Sequence, residues 1–206
     1  MKKISVFTAR ILMSLAVFSA TAALADTTAD FKRYVDNASS ISGQFTQETK
    51  VGSKTKKVKG QFVIGRPGKF RWSVEHHYQQ LIISDGVKVW LYDKDLNQVT
   101  VRQVKDALSS TPAALLLGGD LLDQFSLKDI GKKDGIEWVE AVPKGQDLQF
   151  KRMGIGMISG VPVRMDLTDA FDNTTRIDFQ NVSNKAVITP DTFKFTPPAN
   201  ADILQQ

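Results

Sequence analysis

The sequence predicts an α+β protein built around one large antiparallel β-sheet. Three observations predict it. Apolar and polar residues alternate along about ten short stretches, turn-forming residues separate these stretches, and helical periodicity occurs only near the start and the middle of the chain. The chain has 206 residues, 42% hydrophobic and 24% charged, which suits one domain with its own core.

Residues 1–25 have the pattern of a secretory signal peptide. A basic start precedes a short apolar run, Ile11–Phe18, and a small-x-small motif, Ala23-Leu24-Ala25. We therefore expect one domain over residues 26–206, beginning at Asp26. Loss of three positive charges leaves 24 basic and 22 acidic side chains, so the net charge falls from +5 to +2. No basic tract is strong enough to predict a nucleic-acid partner.

The mature chain begins with a predicted helix and continues with predicted strands. Thr28 is a candidate N-cap, and Phe31, Tyr34, Val35 and Ala38 follow at helical spacing. Turn signals then separate the alternating stretches, among them the hairpin signal Asp85-Gly86. The predicted strands cover residues 43–51, 58–64, 70–74, 81–83, 87–92, 96–102, 136–142, 148–153, 163–167, 175–182 and 193–198.

A helical insertion is predicted in the middle, over residues 110–119, with a second helical piece at 120–125. Thr111 is the predicted N-cap, Pro112 takes the first helical position, and Gly118 ends the helix. Its five positions Ala113–Leu117 are apolar all round, which is typical of a buried helix. Two interpretations stay open: the helix is ordinary core, or it is a lid over a cavity that can hold an apolar ligand.

The residues that carry chemistry are few. The absence of cysteine excludes disulfides, zinc-thiolate sites and iron–sulfur clusters. His76 and His77 are adjacent, so in an extended segment they point to opposite faces and cannot share a metal ion. The stretch Asp93–Val104 lacks the glycine and glutamate of a calcium loop. We expect no metal, no cofactor and no enzymatic activity, although a hidden carboxylate pair in an envelope enzyme stays an alternative.

Six segments resemble, in order, motifs of the periplasmic outer-membrane lipoprotein carrier family, LolA. The resemblance spans residues 26–206, and His77 departs from it because the family often has proline there. The segments are Gly43–Gln47, Gly65–Trp72, Ser84–Asp93, Leu96–Thr100, the Thr-Pro motif Thr111–Leu116, and Phe193–Pro198.

The resemblance implies an incomplete antiparallel barrel of about eleven strands, with helices forming a lid over a concave apolar face. It implies a soluble, monomeric periplasmic carrier that binds the acyl chains of lipoproteins. The implied donor is an inner-membrane lipoprotein-releasing ABC transporter, and the implied acceptor is an outer-membrane receptor lipoprotein. That receptor carries its lipid on a cysteine. This chain has no cysteine, so it resembles the carrier and not the receptor. Two alternatives remain: a periplasmic enzyme acting on envelope lipid or glycan, and an envelope-binding module without a ligand.

The resemblance also implies site residues. Arg66 matches an arginine that fastens the lid through hydrogen bonds to backbone carbonyls; otherwise it is an exposed strand-end charge. The expected lid consists of Pro112, Ala113, Ala114, Leu115, Leu116 and Leu117. The expected acyl-chain-binding residues are Phe70, Trp72, Val74, Trp90, Leu115 and Leu116, with the alternative that Phe70 belongs to an ordinary core.

Overall fold

The computed structural model describes residues 26–75, 78–104, 107, 113–145 and 150–206. The predicted signal peptide, His76, His77, Thr111 and Pro112 lie outside the described residues, as do the side chains of Ala113 and Ala114. Helix α1 spans Thr27–Asn37, α2 spans Ala113–Leu117, and a 3-10 helix spans Gly119–Gln124. The strands are β1 Ser40–Val51, β2 Lys54–Gly65, β3 Lys69–Val74, β4 Gln80–Asp85, β5 Lys88–Asp93, β6 Gln98–Gln103, β7 Phe125–Lys133, β8 Ile136–Pro143, β9 Phe150–Ile158, β10 Val161–Asp169, β11 Thr174–Ser183 and β12 Asp202–Gln205.

All twelve strands form one open sheet, in the order β12-β6-β5-β4-β3-β2-β1-β11-β10-β9-β8-β7. Neighbouring strands are antiparallel except β12, which pairs with β6 in parallel. The predicted open antiparallel sheet is confirmed. The predicted α+β class is wrong: the fold is mostly β, because α1 and α2 have only 11 and 5 residues.

Two strands differ from the sequence prediction. β7 was missed because its alternation ends at a bulge between Asp129 and Gly131. β12 was missed because all four of its residues are exposed and backbone pairing alone builds it. The predicted strand 193–198 is not formed; Phe195 in this segment packs instead on Trp90 and Tyr92.

Helix α1 begins two residues earlier than predicted. Asp26, not Thr28, is the N-cap, since its side chain accepts a hydrogen bond of 3.1 Å from the Ala29 backbone N–H. Phe31 and Val35 are fully buried, which confirms the predicted apolar face. The helix packs on β7, β8 and β10.

The two faces of the sheet have different coverings. We call the face that meets α1 and α2 the inner face, and the opposite one the outer face. Inner-face side chains form one hydrophobic cluster with both helices, and it includes Phe45, Phe62 and Met165. Gly60 permits this packing, since a Cβ there would lie 1.9 Å from the Ser73 carbonyl oxygen and 2.7 Å from the Phe45 ring.

Candidate functional site

A cavity of about 390 Å³ lies on the inner face. Its lining is mostly aliphatic and aromatic, with a few amide and hydroxyl groups and one guanidinium. The lining residues are Gln47, Phe70, Trp72, Val74, Tyr78, Gln80, Ile82, Val89, Leu91, Thr100, Arg102, Ala107, Phe150, Leu167, Thr175 and Ile177.

The cavity exists because the sheet curves. Thr100 on β6 and Phe150 on β9 both line it, although eight strand-to-strand steps separate them in the sheet. In a flat sheet those steps would span roughly 38 Å, at about 4.8 Å each. The sheet must therefore bend around the cavity, so strands distant in the pairing order face each other across it.

Strand β3 supplies the aromatic wall. Phe70, Trp72 and Val74 alternate onto the inner face and all line the cavity. The Trp72 ring stacks on Phe45 with 4.1 Å between ring centroids, and lies 5.5 Å from Phe62 in the paired strand. This stack holds the indole in place, because offset aromatic pairs favour a fixed geometry.

Arg66 connects the β2–β3 turn to α2. Its Nε donates a hydrogen bond of 2.5 Å to the Leu117 carbonyl, and its Nη2 donates one of 2.9 Å to the Leu116 carbonyl. These carbonyls belong to the last turn of α2, where helix carbonyls lack intrahelical partners. Burial lowers the pKa of the guanidinium, an effect that the nearby Asp36 carboxylate opposes. Even so, the guanidinium is the charged donor that holds the end of α2.

The chain passes very close to Arg66 at Gly118, directly after α2. Gly118 has φ of +67°, and a Cβ there would meet the Val35 side chain at 3.1 Å and Arg66 Nε at 3.5 Å. A side chain at this position would strain the backbone and push α1 away from α2. The predicted helix stop at Gly118 thus also brings α1, α2 and Arg66 together.

The chain matches a known protein family over most of its length. The family described as "Outer membrane lipoprotein carrier protein LolA" matches residues 36–196. The chain belongs to the LolA family. The resemblance in the sequence motifs is therefore confirmed.

Relatives support this membership over nearly the whole chain. An outer-membrane lipoprotein carrier protein of Cupriavidus pinatubonensis is 42% identical, over 96% of this chain and 99% of its own. The carrier protein of Nitrosomonas europaea is 40% identical, over 84% and 86%. Among solved structures, a LolA superfamily protein of Nitrosomonas europaea has a TM-score of 0.51 at 10% identity, over 82% of this chain and 97% of its own, which shows a shared fold. An uncharacterized conserved protein of Thermus thermophilus has a TM-score of 0.55 at 11% identity, over 87% and 97%.

The structure separates the residues that the LolA resemblance singled out. Phe70, Trp72 and Val74 line the cavity together. Trp90 does not, because alternation along β5 sends Val89 and Leu91 inward and Trp90 to the outer face, 6.3 Å from the Phe195 ring. Leu115 and Leu116 are buried in the inner-face cluster with 0% and 2% exposure, but do not line the cavity.

Sequence reasoning missed Ser84, a fully buried hydroxyl on β4. Its Oγ donates to the Gly68 carbonyl at 2.7 Å and accepts from the Gly86 N–H at 3.2 Å. Ser84 thereby ties the turn that carries Arg66 to the Asp85-Gly86 hairpin. A polar residue at the end of an apolar run, just before a turn dipeptide, was the available signal.

Tyr34 is a second residue near Arg66 that the sequence analysis assigned only to the apolar face of α1. Its hydroxyl and Arg66 Nη1 are both buried without a hydrogen-bond partner among the described residues. Burial raises the pKa of the Tyr34 hydroxyl, and the charge of Arg66 partly offsets that rise. The two groups are therefore neighbours at the junction of α1 and α2.

The described residues contain neither a metal-ligand cluster nor a membrane-spanning helix. Across those residues, no group of three or more histidine, cysteine, aspartate or glutamate side chains is placed to hold a metal ion. In the same part of the chain, no helix combines the length and apolarity needed to cross a membrane.

Proposed function

We propose that this protein is a periplasmic carrier that binds the acyl chains of lipoproteins and delivers them to the outer membrane. The observation that carries the proposal is the apolar cavity on the inner face, where Arg66 also fastens α2, in a chain of the lipoprotein carrier family. The family is one of carriers, and its names describe no reaction, so the alternative of an enzyme has no support.

In this proposal the sheet is an incomplete barrel, and residues 112–117 with α1 form a lid over its concave inner face. Leu115, Leu116 and Leu117 bury their side chains against that face in the empty state. Arg66 is the latch. Phe70, Trp72 and Val74 form the wall that receives the acyl chain, and Leu115 and Leu116 contact the chain once α2 has moved. Trp90 has no place in the proposed acyl site, because it faces away from the cavity.

The lid solves an affinity problem. Burial of a CH₂ group is worth about 0.8 kcal/mol, so one long acyl chain could gain on the order of 10 kcal/mol from a bare apolar cavity. A carrier with that full gain would not release its cargo. Because the leucines of α2 already lie against the inner face, the cargo gains only the difference between the two occupants.

The proposed route follows from the family resemblance. The carrier takes lipoproteins from an inner-membrane lipoprotein-releasing ABC transporter and hands them to an outer-membrane receptor lipoprotein. Export of the chain through its signal peptide places it in the periplasm as a monomer of residues 26–206. N-terminal sequencing of periplasmic protein should begin at Asp26, and a retained leader would contradict the route.

The direct test is mass spectrometry of material that co-purifies from the periplasm. We expect triacylated or diacylated lipoproteins bound one to one, and their loss in a variant whose cavity wall is charged. Turnover of an envelope lipid or glycan by the protein alone would favour the enzyme. Recovery without any acylated ligand, from cells that release lipoproteins normally, would favour the ligand-free binding module.

A further inference from the structure

One charged side chain occurs among the described residues of the cavity wall. Among the described residues that line the cavity, Arg102 is cationic and none is acidic. Arg102 lies on β6, opposite Val89 of β5 in the strand register. The charge of Arg102 is not needed to bind alkyl chains, because a guanidinium gains nothing from contact with them. A second cation lies nearby, with Lys56 Nζ 3.7 Å from the ring centroid of the lining residue Tyr78.

Arg102 is held in place by a neutral partner. Its Nε donates a hydrogen bond of 2.8 Å to Oε1 of Gln206, and its Nη2 donates to the same oxygen. The backbone N–H of Gln206 in turn donates to the Val101 carbonyl at 3.1 Å. No carboxylate of the described residues forms an ion pair with Arg102, whereas Arg164 and Arg176 pair with Asp178 and Asp166. The positive charge is therefore positioned but not neutralised there.

Apolar surface lies directly beside this charge. Val89 pairs with Arg102, and in the next row Ile82, Leu91 and Thr100 are aligned across three neighbouring strands. Both rows line the cavity. A guanidinium next to an aliphatic wall matches an amphiphile whose acidic head and alkyl tail are joined directly.

We propose that Arg102 makes the cavity a binding site for single-chain amphiphiles with an anionic head, such as a fatty carboxylate or an alkyl phosphate. The head accepts hydrogen bonds from the Arg102 guanidinium, and the tail lies along Leu91 toward Trp72. This ligand class goes beyond lipoprotein cargo, whose acyl chains enter without a free acid group.

The test is displacement of the neutral probe N-phenyl-1-naphthylamine from the purified protein at pH 8. The competitors share a twelve-carbon tail: dodecanoate, dodecyl phosphate, dodecanol and methyl dodecanoate. We expect the two anions to displace the probe at about tenfold lower concentration than the two neutral compounds. A preference for only one anion would show which of the two heads the site takes.

Three variants locate the effect. Arg102→Gln should reduce the preference for anions to about twofold or less, and Arg102→Lys should keep part of it because the charge remains. Arg71→Gln is the matched control, since Arg71 pairs with Ile83 on the outer face and does not line the cavity. Circular dichroism checks that each variant is folded.

Equal displacement by anions and neutral compounds in the unmodified protein would overturn the proposal. So would an anion preference that survives in folded Arg102→Gln, or one that is lost equally in Arg71→Gln. If Arg102→Gln does not fold, Arg102→Lys and the four competitors on the unmodified protein still test whether the cavity prefers anions. Lipoprotein loading measured in parallel separates this inference from the proposed carrier function, because either can fail alone.

Discussion

The inner and outer faces of β3–β5 carry similar residues and meet different partners. Trp72 faces inward, stacks on Phe45 and borders the cavity. Trp90 faces outward, where Phe195 covers it and Tyr92 lies 5.7 Å from the same phenyl ring. Strand alternation assigns each tryptophan to its face. The segment that covers that face then determines whether the tryptophan can become accessible to a ligand.

The two coverings are attached differently. On the inner face, α2 is held at its end by the two hydrogen bonds of Arg66. On the outer face, residues 184–201 are tied at both ends. Ser40 Oγ donates to the Ala186 carbonyl at 3.1 Å, Asn97 Nδ2 donates to the Asn200 carbonyl at 2.7 Å, and β12 then joins the sheet. We therefore expect the inner covering to be exchangeable for cargo and the outer one to be permanent.

The largest effect on cargo binding at the inner face is expected from Phe70→Glu. Phe70 is 2% exposed and borders the cavity, so a carboxylate there should reduce lipoprotein loading by about tenfold or more while the sheet still forms. A loading assay with circular dichroism measures both properties. Phe70→Leu, which keeps the wall apolar, is the control and should load. An unfolded Phe70→Glu protein would make Phe70 ordinary core, and a folded one that loads normally would exclude it from the site.

Arg66→Leu tests whether the inner covering is exchangeable. Each charge-assisted hydrogen bond contributes about 1.5–3 kcal/mol, and its loss destabilises the closed empty state more than the loaded one. Cargo should therefore bind more tightly, and transfer to the receptor should fall by about tenfold or more. Transfer from pre-loaded carrier measures this directly.

The companion variant Arg66→Lys keeps the charge but not the planar fork, so it should give an intermediate rate. Binding of a neutral apolar probe should increase in Arg66→Leu. Transfer at the unmodified rate by Arg66→Leu would remove Arg66 from the mechanism.

Phe195→Ala tests the permanence of the outer covering. Loss of its contacts with Trp90 and Tyr92 should lower the free energy of unfolding by about 1–2 kcal/mol. Lipoprotein loading should not change, because these rings lie on the face away from the cavity. Urea unfolding and the loading assay are compared on the same preparation. Impaired loading with unchanged stability would show that the outer face takes part in cargo binding.

The smallest expected effect concerns the attachment of α1. Asp129 accepts hydrogen bonds from the Gly131 N–H at 2.7 Å and the Thr27 N–H at 3.1 Å, and these lower its pKa. A carboxyl group whose pKa is lowered by folding stabilises the protein at pH values above its unfolded pKa of about 3.9. The protein loses that contribution as the pH falls through the folded pKa.

Asp129→Asn should therefore lower the free energy of unfolding slightly at pH 7 and reduce its decline below about pH 4. Urea unfolding at several pH values measures how the free energy of unfolding changes with pH. NMR titration of Asp129 gives the direction of its pKa shift. An Asp129 pKa at or above its ordinary value would contradict the assignment.

Local patterns in the sequence were enough to predict much of this protein. Period-two alternation predicted that Phe70, Trp72 and Val74 share one face of β3, since alternate side chains of a strand must point to the same face. The LolA resemblance implied that this face binds acyl chains. Gly118 ended α2 as predicted, because a positive φ suits glycine. The motifs were also sufficient to indicate the family, which the relatives confirm.

Other features depended on contacts between residues far apart in the chain. The sequence did not place Trp90 on the covered outer face, because alternation gives two faces without saying which one meets a cavity. β12 has no apolar pattern, since it exists through backbone pairing with β6 about a hundred residues earlier. Arg102 lies in the cavity wall because the sheet curves. Its hydrogen bonds to Gln206 connect two segments that no local sequence pattern relates.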